Sequence, residues 1–126
     1  MYEYNAIVDR VIDGDTIECT IDLGFHTWKK ITVRLEGINT PESRTRDQEE
    51  KKLGLAAKAR LQEIIDMNNS KCVLKVSGLG KFGRAISTVH VASLSPVVDE
   101  SSITLININE QLIVEGHAKP YDGGKR

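Results

Sequence analysis

The sequence has almost no surplus of charge: 17 Lys and Arg stand against 18 Asp and Glu, a formal net charge of −1. This excludes a protein coated in basic residues along its length, so any binding of a polyanion must come from a local cluster. Cysteine is scarce. Cys19 and Cys72 are the only two, and both lie in apolar, strand-like runs. They cannot form a disulfide framework; a single bridge stays open as an alternative to the favoured reading, buried reduced thiols. No run approaches membrane-spanning length, and the N-terminus, MYEYNAIVDRV, lacks the apolar core of an export signal. The expectation is a soluble monomer with no membrane partner, and a cytoplasmic location is favoured on the same ground.

Catalytic signatures are equally sparse. His26, His90 and His117 are scattered, with no HExxH and no cysteine pair at finger spacing, which argues against zinc. No GxSxG elbow supports acyl transfer. Gly78-x-Gly80-x-x-Gly83 has the letters of a dinucleotide fingerprint. A strand is expected after it, however, and not a helix whose N-terminus could hold a pyrophosphate. The better reading is a glycine-rich turn presenting Lys81 and Arg84.

What is present is organised around ITVRLEGINTPE, Ile31 to Glu42. Ile31, Val33 and Leu35 alternate with Thr32, Arg34 and Glu36 at the period of a half-buried strand. Gly37 and Pro41 then break the regularity. A guanidinium (Arg34), an amide oxygen (Asn39), a hydroxyl (Thr40) and a carboxylate (Glu42) are packed into this short segment.

With 126 residues the chain is expected to form one domain, 1–126. Strands are expected over 5–12, 16–23 and 31–35, the first two joined by the tight turn Asp13-Gly14. The polar run 43–52 reads as a loop or first helical turn. A helix follows over 53–67, with Leu53, Ala57, Leu61, Ile64 and Ile65 as its apolar stripe and Asn68-Asn69 as its end. Two more strands, 71–76 and 85–92, precede an exposed turn at 95–101 and a short extended piece at 103–105. A second helix spans 108–115, with Asn107 and Glu110 at capping-box spacing and Gly116 behind it; the tail should fray after Tyr121.

The order β-β-β-α-β-β-α is that of the OB-fold, a five-stranded barrel in a mainly β, α+β class, with a split α+β sandwich as the competitor. Pairing Leu23 with Ile31 would make the apolar faces of the second and third strands coincide and would set Asp15 opposite Asn39. The same alternation points Arg34 to the other face, so barrel curvature or the Gly37 kink would have to bring it round.

Asp15, Asn39 and the backbone at Thr40 are hard oxygen donors suited to Ca²⁺ or Mg²⁺. Two arginines, a carboxylate and a metal are the means of attacking a phosphodiester: guanidinium forks match phosphate oxygens, and Glu42 could deprotonate a water. Each residue also has a purely structural account, with Asp15 ending a turn, Glu42 capping a helix, and Arg34 and Arg84 pairing at the barrel rim.

Four motifs together, VIDGDT (11–16), VRLEGINTPE (33–42), KFGR (81–84) and NEQLIVEGHAK (109–119), resemble the staphylococcal nuclease (thermonuclease) family in order and spacing, from about Asn5 to Tyr121. The resemblance implies an OB-fold and Ca²⁺-dependent hydrolysis of DNA and RNA backbones to 3′-phosphates. It implies that Asp15 and the Thr40 carbonyl bind calcium and that Asp13 helps hold metal-bound water. Glu42 would be the general base, Arg34 and Arg84 the phosphate clamp, and Lys81 and Tyr121 substrate contacts. The departure is Asn39, where the family pattern has a metal-binding Asp. Losing one negative charge predicts weaker Ca²⁺ binding and a shift in the preferred divalent cation. The expectation is a divalent-metal-dependent nuclease acting on DNA and/or RNA. The alternatives are a binding module of the same fold that has given up hydrolysis and, on fold analogy alone, a protein–protein adaptor.

Overall fold

A computed structural model of the chain describes residues 2–80, 83–94 and 105–121. Its elements run β1 (Tyr2–Asp13), β2 (Thr16–Asp22), β3 (Trp28–Leu35), β4 (Ile38–Asn39), α1 (Gln48–Met67), β5 (Lys71–Leu79), β6 (Ala85–Val91), β7 (Ile106–Asn107), α2 (Ile108–Val114) and β8 (Lys119–Pro120). The sheet order is β3-β2-β1-β5-β6-β7, and a further pairing of β3 with β6 closes the first five into a barrel. That closing contact is parallel and short, Val33–Leu35 against Ala85–Ser87. Closure removes both sheet edges at this point. The result is the expected OB-fold, with β4–β8 and β7 as two-residue additions.

Alternation places Ile17, Cys19 and Ile21 of β2, Val33 and Leu35 of β3, Leu74 of β5 and Val89 of β6 inside the barrel. Each fully buried large side chain contributes about 1.5–3 kcal/mol of transfer free energy. Helix α1 covers one end with Ala57, Leu61, Ile64 and Ile65, all at most 1% exposed. It begins earlier than the apolar stripe suggests. Asp47 is the N-cap, accepting from the backbone N–H groups of Glu49 and Glu50 at 3.0 and 3.3 Å, and the two glutamates favour the positive end of the helix dipole.

Two expectations are corrected. Leu53 does not belong to the buried stripe: it is exposed, and Gly54 takes the buried position beside it. There the backbone of Pro41 and Glu42 lies where a Cβ would be, which no apolar periodicity announces. The β2–β3 register is also shifted. Ile17 faces Val33 and Cys19 faces Ile31, because the connection is a tight turn, with Leu23 N–H donating to Thr27 O and Thr27 N–H to Gly24 O, both at 2.9 Å. The third strand therefore starts at Trp28. The shift is an even number of residues, so the apolar faces stay aligned, but Asp15 now lies beside Leu35, whose N–H donates to its carbonyl at 2.8 Å.

The second helix is capped as its spacing predicts, Asn107 Oδ1 accepting from Glu110 N–H at 3.2 Å, and Gly116 has φ +83°. Gly78, Gly80 and Gly83 are followed by strand β6, so among the described residues no helix follows them to hold a dinucleotide. Cys19 and Cys72 are free and buried. Among the described residues no helix is long and apolar enough to cross a membrane. The turn expected at 95–101, residues 103 and 104, Lys81 and the tail after Tyr121 lie outside the described residues.

Candidate active site

The sharp turn between β1 and β2 carries Asp15 to the mouth of the barrel. Gly14 in that turn has no room for a side chain, since a Cβ there would sit 2.8 Å from Ala57 Cβ and 3.0 Å from Thr40 Cγ2. The turn, the loop after β4 and helix α1 thus meet at one point. Asp15 is buried. Its Oδ1 accepts from Thr16 Oγ1 at 3.0 Å, and its Oδ2 accepts from Thr40 N–H at 3.1 Å.

Arg34 reaches the same place, as barrel curvature or the Gly37 kink had to ensure. Its Nη1 donates to Leu35 O at 2.8 Å, and its Nη2 donates to Ile38 O at 2.9 Å and to Asn39 Oδ1 at 3.2 Å. The same Nη2 lies 3.4 Å from Asp15 Oδ2. Tyr121 flanks it, with Arg34 Cζ 6.0 Å from the ring centroid. The tyrosine is pinned by its N–H, which donates to Gly37 O at 2.8 Å.

Asp13, Asp15, Arg34, Thr40, Glu42 and Arg84 line one cleft of about 340 Å³. Arg84 arrives through barrel closure: it immediately precedes Ala85, the partner of Val33 in the parallel pairing. Asn39 touches the site through Arg34 while also lining a neighbouring hollow with Glu50 and His117. Asp13 is tied to the active loop, since Ser43 Oγ donates to its Oδ1. That bond ties the segment between Glu42 and Arg44 to the β1–β2 turn.

Two contributors were not picked out from the sequence. Arg44 lines the cleft, and its only signal was membership of a polar run that reads as solvated loop. Gly54 seats the Pro41–Glu42 backbone on α1. A glycine inside a helix, where it costs about 1 kcal/mol relative to Ala, was the available clue.

The donor set suits a hard cation. Asp15 Oδ2 and Asn39 Oδ1 already converge on one positive group, the Arg34 Nη2. Thr40 Oγ1 is buried without a hydrogen-bond partner among the described residues. The set is also lean: no group of three or more His, Cys, Asp or Glu able to hold a metal occurs among the described residues. Any ion would depend on Asp15 with amide and carbonyl oxygens.

A closed five-stranded barrel with a cleft of arginines and carboxylates at its rim defines an OB-fold domain with a charged mouth. The chain belongs to the family described as staphylococcal nuclease homologue, whose model matches residues 32–125. The match includes Arg34, Asn39, Thr40, Glu42, Arg84 and Tyr121, whereas Asp13 and Asp15 precede it and join the cleft through the β1–β2 turn. No curated protein matches the chain significantly.

Proposed function

We propose that this domain is a divalent-metal-dependent phosphodiesterase that hydrolyses DNA and RNA backbones to 3′-phosphate ends. The observation that carries this reading is the convergence, in one cleft, of Arg34 on β3 and Arg84 just before the parallel-paired β6 with Asp15 and Glu42. Family membership supports the nuclease class.

In this reading a phosphodiester sits between the guanidinium groups, whose paired N–H donors match its oxygens and offset the charge that builds in the transition state. Glu42, on the exposed side of the cleft, orients the attacking water and takes its proton. Arg84 favours departure of the 5′-oxygen. Arg44 adds a third cation at the cleft wall, drawing the polyanion in. Ca²⁺, held by Asp15, Asn39 and the Thr40 carbonyl, would supply Lewis-acid polarisation and a more acidic bound water.

Incubation of plasmid and single-stranded DNA with the protein in Ca²⁺ and in EGTA tests the proposal. Metal-dependent degradation abolished in Asp15→Ala is expected. Retardation without cleavage in either condition would reject it and leave a nucleic-acid-binding module. That second reading has its own support: the Arg34 guanidinium lies on the Asp15 carboxylate and the Asn39 amide oxygen, the oxygens a cation would need.

A further inference from the structure

The β2–β3 hairpin ends in a tip whose foremost ring, Phe25, the fold leaves uncovered, while Trp28 behind it borders an apolar hollow with Asn5 and Ile7. Phe25 is 99% exposed and Trp28 52%, with Leu23 also exposed beside them. Phe25 and His26 have φ of +54° and +59°. Consecutive positive φ values mark the primed hairpin turns that Asn and Gly normally fill; a bulky side chain held there is strained. A phenylalanine in this position returns no burial to the folded chain. The strain and the exposure together call for an external partner.

The surrounding chemistry selects the partner. Lys29 and Lys30 follow Trp28 in the chain and are exposed, Lys30 on the same strand face as Trp28 and Lys29 on the other. Along β3 the inward residues Val33 and Leu35 are buried, so Trp28, Lys30, Thr32 and Arg34 share the outward face. This track leads from the tip to the cleft over roughly 20 Å, at about 3.3 Å per residue. The nearby carboxylates are engaged within the protein. Asp22 Oδ1 accepts from Gly24 N–H at 2.8 Å, and Glu18 lies 3.7 Å from Arg10.

We infer that the β2–β3 hairpin tip is a second nucleic-acid site, on which unpaired bases stack against Phe25 and Trp28 while Lys29 and Lys30 take the adjoining phosphates. Flat rings beside cations serve single strands of any sequence, because every base offers a π-face. Paired bases in a duplex are already stacked on one another and offer the rings little. The platform holds a frayed or single strand in register with the cleft. The choice of partner rests on the nuclease reading; the strained, exposed tip does not.

Trp28 is the only tryptophan, so its fluorescence reports the site directly. Wild type and Phe25→Asn are titrated in EGTA with a short oligothymidylate, with a blunt duplex, and with vesicles of phosphatidylserine and phosphatidylcholine. The oligothymidylate should quench Trp28 saturably and more strongly than the duplex. Phe25→Asn should weaken that binding about tenfold or more. Its Tm should equal or exceed that of wild type, because Asn tolerates the positive φ. Equal affinity of the two proteins for the single strand, or a Trp28 response to vesicles only, would overturn the inference. Cleavage in Ca²⁺ is scored separately. Quenching without cleavage sinks the hydrolytic reading and keeps the platform, whereas cleavage without quenching does the reverse.

Discussion

At the scale of single residues, Asn39 is where one atom changes most. Replacing its amide nitrogen by oxygen in Asn39→Asp adds a charge beside Asp15. Calorimetric titration should show Ca²⁺ binding tightened by about an order of magnitude or more; an unchanged affinity would remove residue 39 from the metal shell. Arg84→Ala should lower turnover by about 10²–10³ with the fold retained, judged by steady-state kinetics and circular dichroism. Arg44→Ala should act chiefly on KM, and increasingly so at low salt, because an exposed guanidinium contributes attraction more than transition-state contact. Most of these residues could be found in the sequence because their types are chemically distinctive and closely spaced. Arg44 was hidden by its company: in a run of mixed charge, one arginine facing a cleft looks like its neighbours facing water.

Among the elements, α1 shapes the site from behind. In Gly54→Ala the new Cβ would collide with the Glu42 carbonyl and sit 2.7 Å from Pro41 O. A loss of about 1–3 kcal/mol in stability is expected, together with a fall in turnover as the Glu42 loop lifts; denaturant melts and kinetics on the same variant check both. The two helices are joined by Arg60, whose Nε and Nη2 donate to Glu115 Oε1 and Oε2 at 2.6 and 2.9 Å. That fork lowers the Glu115 pKa below its ordinary value of 4.5. A depressed carboxylate stabilises the fold above its unfolded pKa and ceases to do so as pH falls through the folded one. Melting temperature should therefore drop on acidification below about pH 4.5, and Glu115→Gln should flatten that part of the profile. Element types were readable from periodicity and caps. The β2–β3 register was not, because it depends on a turn in which Phe and His adopt backbone angles that composition does not forecast.

For the whole molecule, the five-stranded barrel could be anticipated from the order of elements, but which two strands would close it could not. The contact between β3 and β6 joins residues some fifty positions apart along the chain, and local patterning carries no trace of it. The core it encloses shelters both thiols: burial pushes Cys19 and Cys72 up to about 12. A thiol reagent should leave them untouched in the native protein and label them only on global unfolding.

The same seam fixes the order in which competence returns after denaturation. Arg34 and Arg84 approach one another only when two distant stretches zip side by side, and such long-range parallel contacts form slowly. Helical signal should therefore recover before any capacity to grip a phosphodiester. A half-assembled barrel would carry every required side chain and still be inert.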